Sequence, residues 1–146
     1  RTLEAVIARC CEIKAEVVGY DEREGGLRAI LNFGHTIGHA IEATSGYGKY
    51  LHGEAISIGQ VFAARLSERI LNLPAADVKR IRDLLERAGL PTEIRFSASQ
   101  KQKLLAAMKL DKKVSQGEIK FVLARQIGKV EFGQKAPENE VVSVLG

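Results

Sequence analysis

The chain is 146 residues long, 45% hydrophobic by count, with a formal charge of +4 and an isoelectric point near 9.2. That length supports one sizeable core, so one compact unit is expected. Lys and Arg are interleaved with Asp and Glu, which argues against nucleic-acid binding and for a mildly basic cleft that takes a small anion. No apolar run approaches the roughly 20 residues that cross a bilayer, and no charged-then-apolar leader opens the sequence. Neither a membrane nor a nucleic-acid partner is expected, and the expected location is the cytoplasm.

Leu3, Val6, Ile7, Cys10, Ile13, Val17 and Val18 recur at helical spacing, with Thr2 as expected N-cap and Gly19 as stop. A helix that begins so soon after Arg1 reads as part of something longer. Cys10 and Cys11 point about 100° apart on it, which suits neither a disulfide nor a zinc pair and suggests a reducing compartment. The acidic stretch 21–26 reads as a loop, and residues 27–44 as one helix. Residues 45–50 form a glycine-containing loop. From His52 a helix carries Ile56, Ile58, Phe62, Ala63, Leu66, Ile70 and Leu71. Pro74 precedes a helix near 76–88, which Gly89 and Pro91 close. Ser97 or Ser99 caps the next, whose apolar positions are Leu104, Leu105, Met108 and Leu110, and which ends at Lys112 and Lys113. A period-two pattern then predicts a hairpin of 119–123 with 129–132 around Gly128, and a short helix follows Pro137. The fold class is mainly α, with a small β-hairpin near the C-terminus.

Read as one helix, residues 28–42 place Arg28, Asn32, His35 and His39 at roughly 0, 40, 340 and 20° around the axis. Ile30, Leu31, Phe33, Ile37, Ala40 and Ile41 form an apolar face behind this polar seam. Gly34 and Gly38 on the apolar side permit close approach of another helix. A seam with two imidazoles is costly to bury without a ligand, so it is expected to wall a cleft.

His35, His39 and His52 are all the histidines of the chain. Histidines four residues apart on one helix face suit a shared divalent ion, and His52 opens the next helix nearby. The blander reading stays open on spacing alone: His35 and His39 bond to helix neighbours, and His52 lies on the surface.

Arg28-Ala-Ile-Leu-Asn32-Phe-Gly-His35-Thr-Ile-Gly-His39-Ala-Ile-Glu42, followed by His52-Gly53-Glu54-Ala55, resembles the core signature of the 3-dehydroquinate synthase family. Upstream, Glu12-Ile-Lys14-Ala-Glu-Val-Val18 and Asp21-Glu-Arg-Glu24 resemble the approach to it. Downstream, Met108-Lys-Leu-Asp111-Lys112-Lys113, Phe121-Val-Leu123 and Ile127-Gly128 resemble its closing segment. These strings run in family order over nearly the whole chain.

The resemblance implies a multi-helix C-terminal domain of the dehydroquinate synthase-like fold: residues 1–146 as one metal- and substrate-binding domain, with the NAD-binding domain outside this chain. It implies an NAD- and metal-dependent lyase of the shikimate pathway that converts the sugar acid phosphate DAHP to 3-dehydroquinate with loss of phosphate. It implies zinc or cobalt held by His35 and His52, with a glutamate upstream of this chain as third ligand. Lys14, Arg28, Asn32, His39 and Lys112 match family positions that hold the substrate's carboxylate, hydroxyls and phosphate, with Lys112 taken ahead of Lys113. The family is typically dimeric. The isolated domain is expected to fold without being active.

Spacing alone gives some of these residues plainer roles. Lys14 would snorkel from an apolar helix side, Lys112 and Lys113 would sit at a solvated helix end, and Glu24 would form a local ion pair. Glu54 suits the positive end of its helix and is left out of the catalytic set. Two other functions compete. One is a domain of another sugar-phosphate cyclase, or of a metal-dependent alcohol or glycerol dehydrogenase. The other is a free-standing helical module that binds a metal or an anion.

Overall fold

Helix begins at the second residue of the chain. A computed structural model describes residues 1–22, 26–46, 48–110 and 119–146, which fall into the units Arg1–Leu31 and Asn32–Gly146. In the first unit, α1 spans Thr2–Tyr20. Its N-cap is Arg1 rather than Thr2, and the Arg1 carbonyl accepts from the Ala5 N–H at 3.1 Å. Gly19 lies inside the helix, which closes only where the Asp21 N–H reaches the Val17 and Val18 carbonyls. The apolar stripe of α1 is uncovered, with Leu3 71%, Val6 52% and Ile7 55% exposed. Cys10 and Cys11 are free and exposed.

The helix expected over 27–44 is two elements. Leu27–Asn32 winds as a 3₁₀ helix, Phe33 and Gly34 turn, and α2 runs His35–Thr44. Gly34 sits at φ +83°, in the left-handed region that an L side chain resists, and its carbonyl accepts the first bond of α2, from Gly38 N–H at 2.9 Å. Sequence periodicity carries no sign of this break, because the apolar pattern continues across it. The single stripe from Arg28 to His39 is thereby corrected: only His35 and His39 share a helix.

In the second unit α3 spans His52–Leu71 and packs on α2. A Cβ on Gly34 would meet the Gln60 backbone N at 2.6 Å, one on Gly38 would meet Ile56 at its side-chain Cδ1 at 2.6 Å and its Cα at 3.2 Å, and one on Gly59 would meet the Gly34 carbonyl oxygen at 2.2 Å. The neighbours rise along α3 as they fall along α2, so the pair is an antiparallel helical hairpin with main chain against main chain. Close approach at Gly34 and Gly38 is as the sequence suggests, and Gly59 supplies the other half of the contact.

The helix after Pro74, α4, is Ala75–Arg87. Gly89, at φ +77°, closes it: its N–H bonds the Glu86 carbonyl and that of Leu90 bonds Leu85, a Schellman closure. Next, α5 is Ala98–Leu110, started by Ser97 and Gln100, each of whose side chains bonds the other's backbone N–H. Of its apolar positions, Leu104, Leu105 and Met108 are buried and Leu110, at the helix end, is 83% exposed. The hairpin pairs β1, Lys120–Gln126, antiparallel with β2, Lys129–Lys135, and α6 is Glu138–Val144.

The period-two expectation fails on β1, where Phe121, Val122, Leu123 and Ala124 are all buried. Both faces of the strand are covered: Phe121 and Leu123 join the main core of α2, α3, α5 and α6, whereas Ala124 joins a smaller cluster with Ala64, Leu73 and Val78. Ser67, fully buried on α3, ties the strand in place. Its hydroxyl donates to the Ala63 carbonyl at 2.6 Å and accepts the Ala124 N–H at 2.8 Å. Ile37, Ile41, Ile58, Leu66 and Leu104 are fully buried in the main core.

Candidate metal centre

The α2–α3 hairpin fixes the histidines. His35 and His39 stand one turn apart on α2, and His52 is the first residue of the antiparallel partner. Their ring centroids lie 5.3 Å apart for His35 and His39, 5.7 Å for His35 and His52, and 5.8 Å for His39 and His52. One ligating atom from each lies within 4.8 Å of the others. The cluster opens outward: His39 and His52 are exposed and His35 is half-buried. Among the described residues it is the set of His, Cys, Asp or Glu side chains so disposed.

A tetrahedral zinc with Zn–N bonds of about 2.0–2.1 Å holds its ligand nitrogens about 3.4 Å apart. The observed spacing is therefore within reach of small ring rotations, and imidazole is a ligand for zinc and cobalt alike. Nδ1 of His35 is 3.4 Å from the Phe33 carbonyl oxygen. Nδ1 of His52 is 3.2 and 3.3 Å from the two carboxylate oxygens of Glu42. In the tautomers these contacts select, the lone pair of each ring is on Nε2.

Asn32, half-buried, ends the 3₁₀ helix three residues before His35. Lys14, exposed on α1, and Arg28, half-buried in the 3₁₀ helix, belong to the first unit. There the Asp21 carboxylate accepts the N–H groups of Gly26 and Arg28 at 2.9 and 2.8 Å and so organises the turn. Lys112, Lys113 and Glu24 lie outside the described residues. Glu54 accepts the Leu51 N–H at 2.8 Å and so caps α3. Spacing alone gives Glu42 no role, although it stands seven residues after His35 and three after His39, on their side of α2.

The chain is similar to known proteins along nearly its whole length. Residues 1–114 match the family model for 3-dehydroquinate synthase, C-terminal. The chain is 52% identical over 145 residues to the 3-dehydroquinate synthases of Bordetella pertussis and Bordetella parapertussis, covering 99% of itself and 40% of each relative. It thus spans well under half the length of these curated relatives. A solved 2-deoxy-scyllo-inosose synthase complexed with carbaglucose-6-phosphate, NAD+ and Co2+ superposes with a TM-score of 0.82 at 26% identity, over 99% of this chain and 41% of that one. The 2-epi-5-epi-valiolone synthase ValA from Streptomyces hygroscopicus, solved with NAD+ and Zn2+, shares the fold with a TM-score of 0.81 at 24% identity, over 97% of this chain and 38% of that one.

Proposed function

The chain belongs to the 3-dehydroquinate synthase C-terminal family, and we propose that within its full-length polypeptide it supplies the metal- and substrate-binding half of an enzyme converting DAHP to 3-dehydroquinate and phosphate. The convergence of His35, His39 and His52 carries this reading. His35 and His52 hold the divalent ion, zinc or cobalt, together with a glutamate from the preceding part of the polypeptide. When bound, such an ion supplies Lewis acidity to the substrate hydroxyl that is oxidised. NAD is held mainly by the other half.

The remaining residues orient an anion. Arg28 presents a planar fork for carboxylate or phosphate, Lys14 and Lys112 present point charges, and Asn32 and His39 donate hydrogen bonds to phosphate. The leaving phosphate itself takes the proton during elimination, so His39 is not required as a base. The uncovered apolar stripe of α1 supports packing against further polypeptide of the same enzyme. A cytoplasmic homodimer is part of the proposal. Among the described residues no helix is long and apolar enough to cross a membrane.

The near-equal ring spacings favour one further reading, in which His39 is itself a ligand. His39→Ala then weakens metal binding as severely as His35→Ala; on the leading reading it lowers turnover and leaves metal affinity near wild type. The assay that decides the function supplies the full-length polypeptide with NAD+, Zn2+ or Co2+, and either DAHP or sedoheptulose 7-phosphate. Release of phosphate with 3-dehydroquinate from DAHP is expected. Turnover of sedoheptulose 7-phosphate alone assigns another cyclase, and turnover of neither removes the assignment.

A further inference from the structure

Glu42 lies outside the proposed ligand set, yet its carboxylate addresses one of the ligands. It sits late on α2, opposite the first residue of α3, and both its oxygens are within 3.3 Å of Nδ1 of His52. The Glu42 side chain is 31% exposed and that of His52 is 60% exposed, so the contact is open to solvent on the histidine side. Among the described residues, no Lys or Arg forms an ion pair with this carboxylate.

An ionised carboxylate only accepts hydrogen bonds, so His52 meets it with Nδ1–H, and the neutral ring then presents its lone pair at Nε2. We propose that Glu42 is a positioning residue for the metal centre: it fixes the tautomer and orientation of His52 and thereby sets the affinity for the divalent ion. This rests on His52 being a ligand, as proposed above. Glu42 touches neither substrate nor ion and acts through the imidazole, in the manner of carboxylates that stand behind ligating histidines. The antiparallel hairpin delivers it, because the register that opposes Gly38 to Ile56 also opposes position 42 to position 52.

The test uses the full-length polypeptide stripped of metal and titrated with Co2+ against a competing chelator, with the visible Co2+ spectrum recorded at saturation. Glu42→Ala is expected to weaken Co2+ binding by about 10- to 100-fold and to alter the ligand-field bands, while the metal-free protein melts at the wild-type temperature. Glu42→Gln, whose amide oxygen still accepts from Nδ1–H, is expected to recover part of that loss. His52→Ala serves as the reference. If His52→Ala abolishes binding but Glu42→Ala and Glu42→Gln bind Co2+ with wild-type affinity and spectrum, the role of Glu42 is overturned and the metal centre stands. If His52→Ala itself binds Co2+ normally, both fall.

Discussion

The carbonyl oxygen of Gly34 occupies the space where Gly59 would carry a side chain, 2.2 Å from the position of its Cβ. The atom in the way is backbone, so it cannot swing aside. Gly59→Ala is therefore expected to force α2 and α3 apart, at a cost of about 1–3 kcal/mol or more. Metal affinity should fall with stability, because His52 and the α2 histidines sit on opposite sides of this contact. A lowered melting temperature in the full-length polypeptide, together with weakened Co2+ binding, checks it; Gly53→Ala, with open space around its Cβ, is the control expected to change little by crowding.

Ser67→Ala should destabilise by about 1–3 kcal/mol, since it strands the buried Ala124 N–H without an acceptor. Hydrogen exchange locates the effect: protection at Ala124 should drop before that of the main core around Leu104 and Leu123.

His35→Ala and Arg28→Ala are expected to lower turnover of the full-length enzyme on the order of 100-fold or more with little change in thermal stability, because the lost interactions are realised with ion and substrate. Near-wild-type turnover in either variant contradicts the role given to that residue.

At the surface, the hydrogen bond from Arg125 holds the Glu131 carboxyl below its ordinary range. A depressed value makes the contribution to stability present above the unfolded carboxylate value of about 4.3 and lost as pH falls through the folded value. The small difference in melting temperature between wild type and Glu131→Gln should thus be constant near neutral pH, shrink in the acid range, and shrink also in high salt.

Much of the scaffold was legible in the sequence. Most starts and stops written in side-chain chemistry were legible, Pro74 before α4, Gly89 after it, one of Ser97 and Ser99 at α5 and Gly128 in the hairpin turn, whereas Thr2 and Gly19 lie inside α1 rather than bounding it. The break at Gly34 was not, since a left-handed glycine inside an unbroken apolar pattern is set by tertiary contact with Gln60 and Gly59 rather than by local propensity. The burial of four consecutive residues on β1 was missed for a related reason, because alternation reports one covered face and this strand has two. At the site, spacing brought His35 and His39 together and left His52 nearby. It did not place Glu42 on His52, a contact that exists only once two helices run antiparallel in one register.

At Gly34 and Gly59 the helices are separated by bare peptide, which has no rotamers to relax. The distance between the α2 histidines and His52 is consequently gauged by main-chain thickness rather than by a jigsaw of side chains. Such a gauge keeps its setting when surrounding residues are exchanged. An ion shared by these imidazoles would therefore keep its place through changes confined to the loops.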